Sequence, residues 1–225
     1  IRHEQKADRV YFARSALDHR YSIEVTAQPG AALHAIGGVP RDFYLTPPEA
    51  ISARVRNLVA GIAAQNPDTA ARLAALADFF REQKLVYAQD DLPGEQDPVD
   101  EFLFDKQRGY CEFFASSYVT LARLLGIPGR LVGGYLGGDY NKLGGYYLVT
   151  EDMAHVWVEI LTDSNRWVRI DPSRWADNAE AVLLSRQAAQ LATWQRLTDA
   201  FNYYWIQAVV IYDFGRQLKF LQGSR

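Results

Sequence analysis

Residues 111–125 read as one helix that is apolar on nearly every side, with Phe113, Phe114, Tyr118, Leu121, Leu124 and Leu125 spread around it. Such a helix has no face to offer water, so it belongs at the centre of a fold. Gly126 and Pro128 stop it. The hydrophobic period then changes to two. Residues 130–135, 144–150, 155–161 and 167–171 read as strands, with Gly137-Gly138-Asp139-Tyr140-Asn141 as a loop after the first. Helices first and strands second, without alternation, predict an α+β fold in which the central helix packs on an antiparallel sheet.

The flanks add helices to this core. Pro47-Pro48-Glu49 suits a helix start, and the helix is expected to run to about Gln65. Asn66-Pro67-Asp68 breaks it, and Asp68 or Thr69 can cap the next, whose Leu73, Leu76, Phe79 and Phe80 form a core-facing stripe. Residues 88–109 read as a polar loop. Near the start, residues 21–26 alternate as a short strand, and from 179 to 222 the pattern is helical again. The chain divides accordingly into an N-terminal strand and loop segment (1–46), a core with a leading helical hairpin (47–178) and a C-terminal helical segment (179–225).

Several function classes drop out. The 24 Lys and Arg against 27 Asp and Glu leave a net charge of −3, which is no footprint for nucleic acid. Asp90, Asp91 and Asp97 lack calcium-loop spacing, and His3, His19 and His34 are dispersed, so no metal is expected. The glycines do not make a dinucleotide-binding spacing, and no cofactor is expected. Asp213-Phe214-Gly215 has none of the companion motifs of a kinase. The longest uncharged apolar run, 200–212, is shorter than the ~20 residues of a membrane helix. Cys111 is the only cysteine, so no disulfide forms within the chain. Met153 is the only methionine, which leads us to expect a piece of a longer, processed or excised protein.

Chemistry concentrates at three positions. Cys111 opens the central helix, where the positive helix end favours the thiolate; a lone cysteine can equally serve as a small core residue. Residues 154–160 and 166–171 alternate on either side of the turn Thr162-Asp163-Ser164-Asn165, so they should form a hairpin. With 156 opposite 170 and 158 opposite 168, Val156, Val158, Ile160, Val168 and Ile170 share the buried face. His155 then lies across from Asp171 on the other. An imidazole beside a carboxylate is the base-and-orienter half of a nucleophilic triad, or else a surface pair.

The order of these residues, and the words around them, resemble the transglutaminase-like family of papain-like cysteine enzymes. The matching stretches include Phe102-Leu103-Phe104-Asp105-Lys106-Gln107-Arg108-Gly109-Tyr110-Cys111-Glu112-Phe113-Phe114-Ala115 and Leu124-Leu125-Gly126-Ile127-Pro128-Gly129-Arg130, with Gly133-Gly134-Tyr135. They continue in Ala154-His155-Val156-Trp157-Val158-Glu159 and Trp167-Val168-Arg169-Ile170-Asp171-Pro172-Ser173. The helices ahead of the core and the tail with Trp205 and Tyr212 are similar to bacterial membrane proteins that carry this domain outside the cytoplasmic membrane. The resemblance implies Cys111 as nucleophile, His155 as general base and acid, and Asp171 as the residue that orients the imidazole. It implies acyl transfer through a thioester on the carboxamide of peptide or protein glutamine. A cysteine peptidase or amidase, or a non-catalytic module binding peptide or glycan, are the alternatives. It also implies a periplasmic or extracytoplasmic location and a membrane tether in the full-length protein. One departure stands out: animal crosslinking enzymes place a tryptophan before the cysteine, whereas the first one here is Trp157. The Cys111 backbone N–H and the Gln107 side chain are the substitute oxyanion donors the sequence offers.

Overall fold

A computed structural model describes residues 3–5, 11–13, 33–34, 40–142 and 144–188. The strand expected at 21–26 and the helical pattern beyond 188 lie outside the described residues. Strands β1 (His3–Gln5) and β2 (Tyr11–Ala13) pair antiparallel, and β3 (Leu33–His34) follows. Helix α1 (Ala53–Gln65) begins later than Pro47-Pro48-Glu49 suggests. The reason is Ser52, whose hydroxyl accepts from the Val55 N–H at 3.1 Å and donates to Asp100 Oδ1. Asp68 caps α2 (Thr69–Glu82) by accepting from the Ala71 N–H. Leu76 and Phe80 of its stripe are fully buried.

The segment expected as a polar loop is structured. It contributes α3 (Pro98–Asp100), which runs on into a π-helical turn, Glu101–Lys106, with Phe102 and Leu103 buried. Two-residue strands β4 (Val86–Tyr87) and β5 (Arg108–Gly109) bracket it and pair in parallel. Arg54 of α1 bonds both Asp100 and Asp105, which ties this turn to the helical hairpin.

Helix α4 (Cys111–Leu124) is the central helix. Phe114, Ala115, Leu121 and Ala122 are sealed from solvent, and Tyr118 nearly so. Gly126 ends it at φ +79°, with its N–H on the Arg123 carbonyl and the Ile127 N–H on that of Ala122. This double bond back onto the last turn needs a left-handed residue, which glycine supplies without strain.

The remaining strands are β6 (Gly129–Tyr135), β7 (Asp139–Asn141), β8 (Tyr146–Leu148), β9 (Ala154–Leu161) and β10 (Arg166–Ile170), followed by α5 (Ala179–Ala188). The main sheet has the order β3-β10-β9-β6, antiparallel throughout. Residues around 139–141, expected as loop, form β7, and β7 and β8 make a separate hairpin outside that sheet. Helix α4 lies across β9 and β6. The other sheet face carries a smaller cluster of Tyr44, Leu161 and Trp167, roofed by Arg130, whose guanidinium stacks over Trp167 at 4.1 Å and bonds Glu159 at 2.8 Å. This is the α+β architecture with a cysteine-bearing helix on an antiparallel sheet.

The β9–β10 hairpin keeps its expected faces but not its expected register. Ile170 pairs with Val158 and Val168 with Ile160, two places from the alignment read from the sequence. The Thr162 hydroxyl takes up the Arg166 N–H and bonds its carbonyl, and Asn165 adopts φ +57°. The turn therefore centres on Ser164, one residue later than assumed, and each residue of shift at the turn moves the pairing by two. His155 is consequently opposite Gly134 of β6, and Asp171 lies just beyond the end of β10. Val168 is 43% exposed, because α4 stops short of this strand.

Candidate active site

Cys111 is the first residue of α4, behind the extended Tyr110, whose side chain does not cap the helix. The helix start therefore leaves its partial positive charge facing the thiol. Across from it, β9 delivers His155, 3% exposed. Asp171 precedes the 3-10 turn Pro172–Trp175, which swings its carboxylate back toward the ring. His155 Nε2 and Asp171 Oδ2 are 2.9 Å apart, and the Ser173 hydroxyl donates to Asp171 Oδ1 at 2.7 Å. The second ring nitrogen, Nδ1, is buried and makes no hydrogen bond of good geometry within the fold. The structure thus brings Cys111, His155 and Asp171 into one cluster. His155 and Asp171 meet through the 3-10 turn rather than as cross-strand partners.

Burial pushes the Cys111 thiol up. The His155 side chain, the Val156 N–H, the charge on His155 and the Tyr87 hydroxyl outweigh it, and the thiol ends below its ordinary value. Burial alone would lower His155, yet the Asp171 and Cys111 side chains hold it up at about 9. Burial would raise Asp171, and hydrogen bonds from His155 and Ser173 keep it below the usual carboxylate range. Together these directions favour the charged forms of all three side chains, thiolate, imidazolium and carboxylate in a row.

The cluster opens on a cleft of about 500 Å³ bounded by Tyr87, Gly133, Gly134, Glu151 and Asp152. Glu112, Gly133 and Val156 also border a second cleft of about 460 Å³, with Pro98, Phe113 and Leu131. Gly134 is needed here: a β-carbon on it would stand 2.5 Å from the Trp157 ring. On the far side of the ring, Leu136, Val182 and Leu183 close a pocket of about 30 Å³ around His155 and Asp171.

Gln107 does not serve the cleft. It sits at φ +51°, and its amide nitrogen donates to the Gln83 backbone and side-chain oxygens at 3.3 Å. The sequence reading missed Tyr87 and the Val156 N–H, both of which help to hold the Cys111 thiol below its ordinary value. Val156 follows directly from His155, but Tyr87 comes from a strand too short to leave a periodic signal.

The transglutaminase-like superfamily profile matches residues 56–172. The uncharacterised protein YebA of Bacillus subtilis is 33% identical over 144 residues, 61% of this chain and 20% of its own length. A protein-glutamine gamma-glutamyltransferase of Pseudomonas aeruginosa is 30% identical over 190 residues, 75% of this chain and 28% of that protein. The crystal structure of the periplasmic domain of TgpA from Pseudomonas aeruginosa, bound to ethylmercury, superposes with a TM-score of 0.58 at 32% identity. That match covers 62% of this chain and 50% of the TgpA chain. The chain spans less than a third of either curated relative.

Proposed function

The chain belongs to the transglutaminase-like superfamily, and on that premise we propose that it transfers the acyl group of a peptide or protein glutamine through a Cys111 thioester. The observation that carries the reading is the cluster itself: a helix-start thiol facing a cleft, beside an imidazole whose far nitrogen is held by a buried carboxylate. In this reading the Cys111 thiolate attacks the carboxamide carbon. The His155 imidazolium protonates the leaving nitrogen, ammonia departs and a thioester remains. The neutral His155 then takes a proton from the acceptor, an amine for transamidation or water for deamidation, as it attacks the thioester. Asp171 holds the ring orientation and stabilises the imidazolium. The relative named as a glutamyltransferase supports glutamine as acyl donor. The periplasmic TgpA domain supports an extracytoplasmic location; a tether of the full-length protein to the inner membrane is part of the same proposal. Among the described residues no helix is long and apolar enough to cross a membrane. A second reading, a cysteine peptidase or amidase on peptide or cell-wall substrates, is favoured by one observation, the lack of any tryptophan before Cys111.

The test is to trap the acyl-enzyme from a library of glutamine-containing peptides, with and without a fluorescent primary amine, and to weigh it by mass spectrometry. A thioester adduct on Cys111, ammonia release and amine incorporation are expected. Free peptide fragments without ammonia would favour the peptidase. Ethylmercury offers a cheap check: with one cysteine in the chain, about one equivalent should abolish turnover.

A further inference from the structure

An acyl-transfer site needs donors for the oxygen that becomes negative, and the amide of Gln107 is engaged elsewhere. Another group stands where such a donor is required. Tyr87 borders the cleft together with Cys111 and His155, and its side chain helps to hold the Cys111 thiol below its ordinary value. Its backbone is fixed on two sides. On one, β4 lies parallel to β5, with Tyr87 opposite Gly109 and the Ala88 N–H on the Gly109 carbonyl at 3.0 Å. On the other, the Asn178 side-chain amide grips it twice. The Tyr87 N–H donates to Asn178 Oδ1 at 2.8 Å, and Asn178 Nδ2 donates to the Tyr87 carbonyl at 3.0 Å. The ring itself lies nearly parallel to that of Phe114, a fully buried residue of α4, at 19° and 6.3 Å between centroids. A phenol restrained in this way has little left to reorganise when charge develops beside it.

The path of the charge selects its role. In the resting site the negative charge is on sulfur. When the C–S bond forms, the carbonyl π pair moves onto oxygen, and the charge now sits on an atom bonded to the same carbon. A donor on the same cleft wall, near enough to act on the sulfur, is placed to serve that oxygen. We propose that the Tyr87 hydroxyl is the side-chain oxyanion donor of this site, its hydrogen bond passing from the Cys111 sulfur to the carbonyl oxygen as the tetrahedral adduct forms. When the adduct collapses, the C–N bond breaks, the imidazolium proton leaves with ammonia, and the carbonyl is restored as the thioester. The inference rests on the acyl-transfer reading. It differs from a role in tuning the thiol, because it assigns Tyr87 to the transition state rather than to the resting thiolate.

Tyr87→Phe separates the two, since it keeps the ring stack and the strand. On this proposal kcat falls by about 10²–10³-fold, the usual cost of one oxyanion donor, with KM nearly unchanged. Binding of a peptide aldehyde, whose thiohemiacetal carries the same oxygen, weakens by at least about tenfold. Alkylation of Cys111 by iodoacetamide creates no oxyanion, and at a pH where the thiolate is fully formed its rate stays within about threefold. Thermal melting within a few degrees of wild type verifies the fold. Unchanged kcat and unchanged aldehyde binding would overturn the proposal, as would a loss of alkylation equal to the loss of kcat. If the wild-type protein alkylates but neither turns over nor captures the aldehyde, the acyl-transfer reading fails and this one with it. If wild type does both and the variant keeps both, the Tyr87 assignment alone falls.

Discussion

Replacing Asp171 by Asn removes a charge while keeping the shape of the side chain, and its consequences can be worked from the structure. The His155 ring is buried beside the carboxylate at 2.9 Å, with 1% and 7% of the two side chains exposed. Its pKa is about 9 against an ordinary 6.5. That difference corresponds to about 3 kcal/mol in favour of the imidazolium, shared between Asp171 and the Cys111 side chain. The sign follows from linkage. The raised histidine contributes stability that is complete below 6.5 and lost as pH rises through about 9. The depressed Asp171 contributes stability present above its ordinary 3.8 and lost as pH falls through its lower value in the fold. The charged pair is therefore worth most between about pH 4 and 6.5 and fades toward 9. In Asp171→Asn the alkaline limb of kcat/KM should fall from about 9 toward 6.5, by at least one unit. At neutral pH the rate should drop by about tenfold or more, as the ring loses both its charge and its orientation. The measurement is kcat/KM for a fluorogenic amide from pH 5 to 10, with melting curves in the same buffers. The melting difference from wild type should be largest near pH 6 and shrink above 9. An alkaline limb that stays in place in Asp171→Asn would refute the reasoning.

Cys111→Ala should abolish turnover and cost only about 1 kcal/mol, a melting shift of a few degrees, because the helix start tolerates a small residue; any residual amide turnover would count against the thioester. Asn178→Ala removes both bonds from the Asn178 amide to the Tyr87 backbone and should cost about 1–3 kcal/mol in urea unfolding, with a slower kcat from a looser Tyr87. EDTA should leave activity unchanged; loss with EDTA and recovery with calcium would contradict a metal-free mechanism.

The parts legible in the sequence are those where one physical signal dominates. Residues 111–125 announce a buried helix because no water-facing stripe interrupts them, and α4 is that helix. His155 and Asp171 meet through the 3-10 turn after β10, not across the strands as the alternation implied; the sharing of faces within 154–160 and 166–170 could be anticipated. The register could not, because it depends on which residue of Thr162-Asp163-Ser164-Asn165 turns left-handed, and several of these can. The α1 start was misread because a proline pair followed by glutamate imitates a first turn, whereas the stronger device is the Ser52 hydroxyl, committed to both Val55 and Asp100. Strands β4 and β5 escaped altogether: two residues have no period, and their parallel pairing joins segments about twenty residues apart. Tyr87 was lost with them, which explains why the thiol was found from the sequence and its phenolic neighbour was not.

The π-helical turn at Glu101–Lys106 has a consequence for chain length. A π turn holds one more residue than an α turn over the same rise, so it stores a single-residue insertion just ahead of Cys111. Deleting one residue there lets the turn relax to ordinary helix, with Arg108 and Gly109 still in place against Val86 and Tyr87. A deletion between the turn and the cysteine has no such reserve: because strands repeat every two residues, a slip of one place would turn alternate side chains over and carry the thiol away from its cleft. The stretch between the turn and the cysteine is thus fixed in length by geometry, while the β7–β8 hairpin, paired outside the main sheet, is free to grow or shrink. Insertions that leave the cysteine undisturbed are expected in that hairpin.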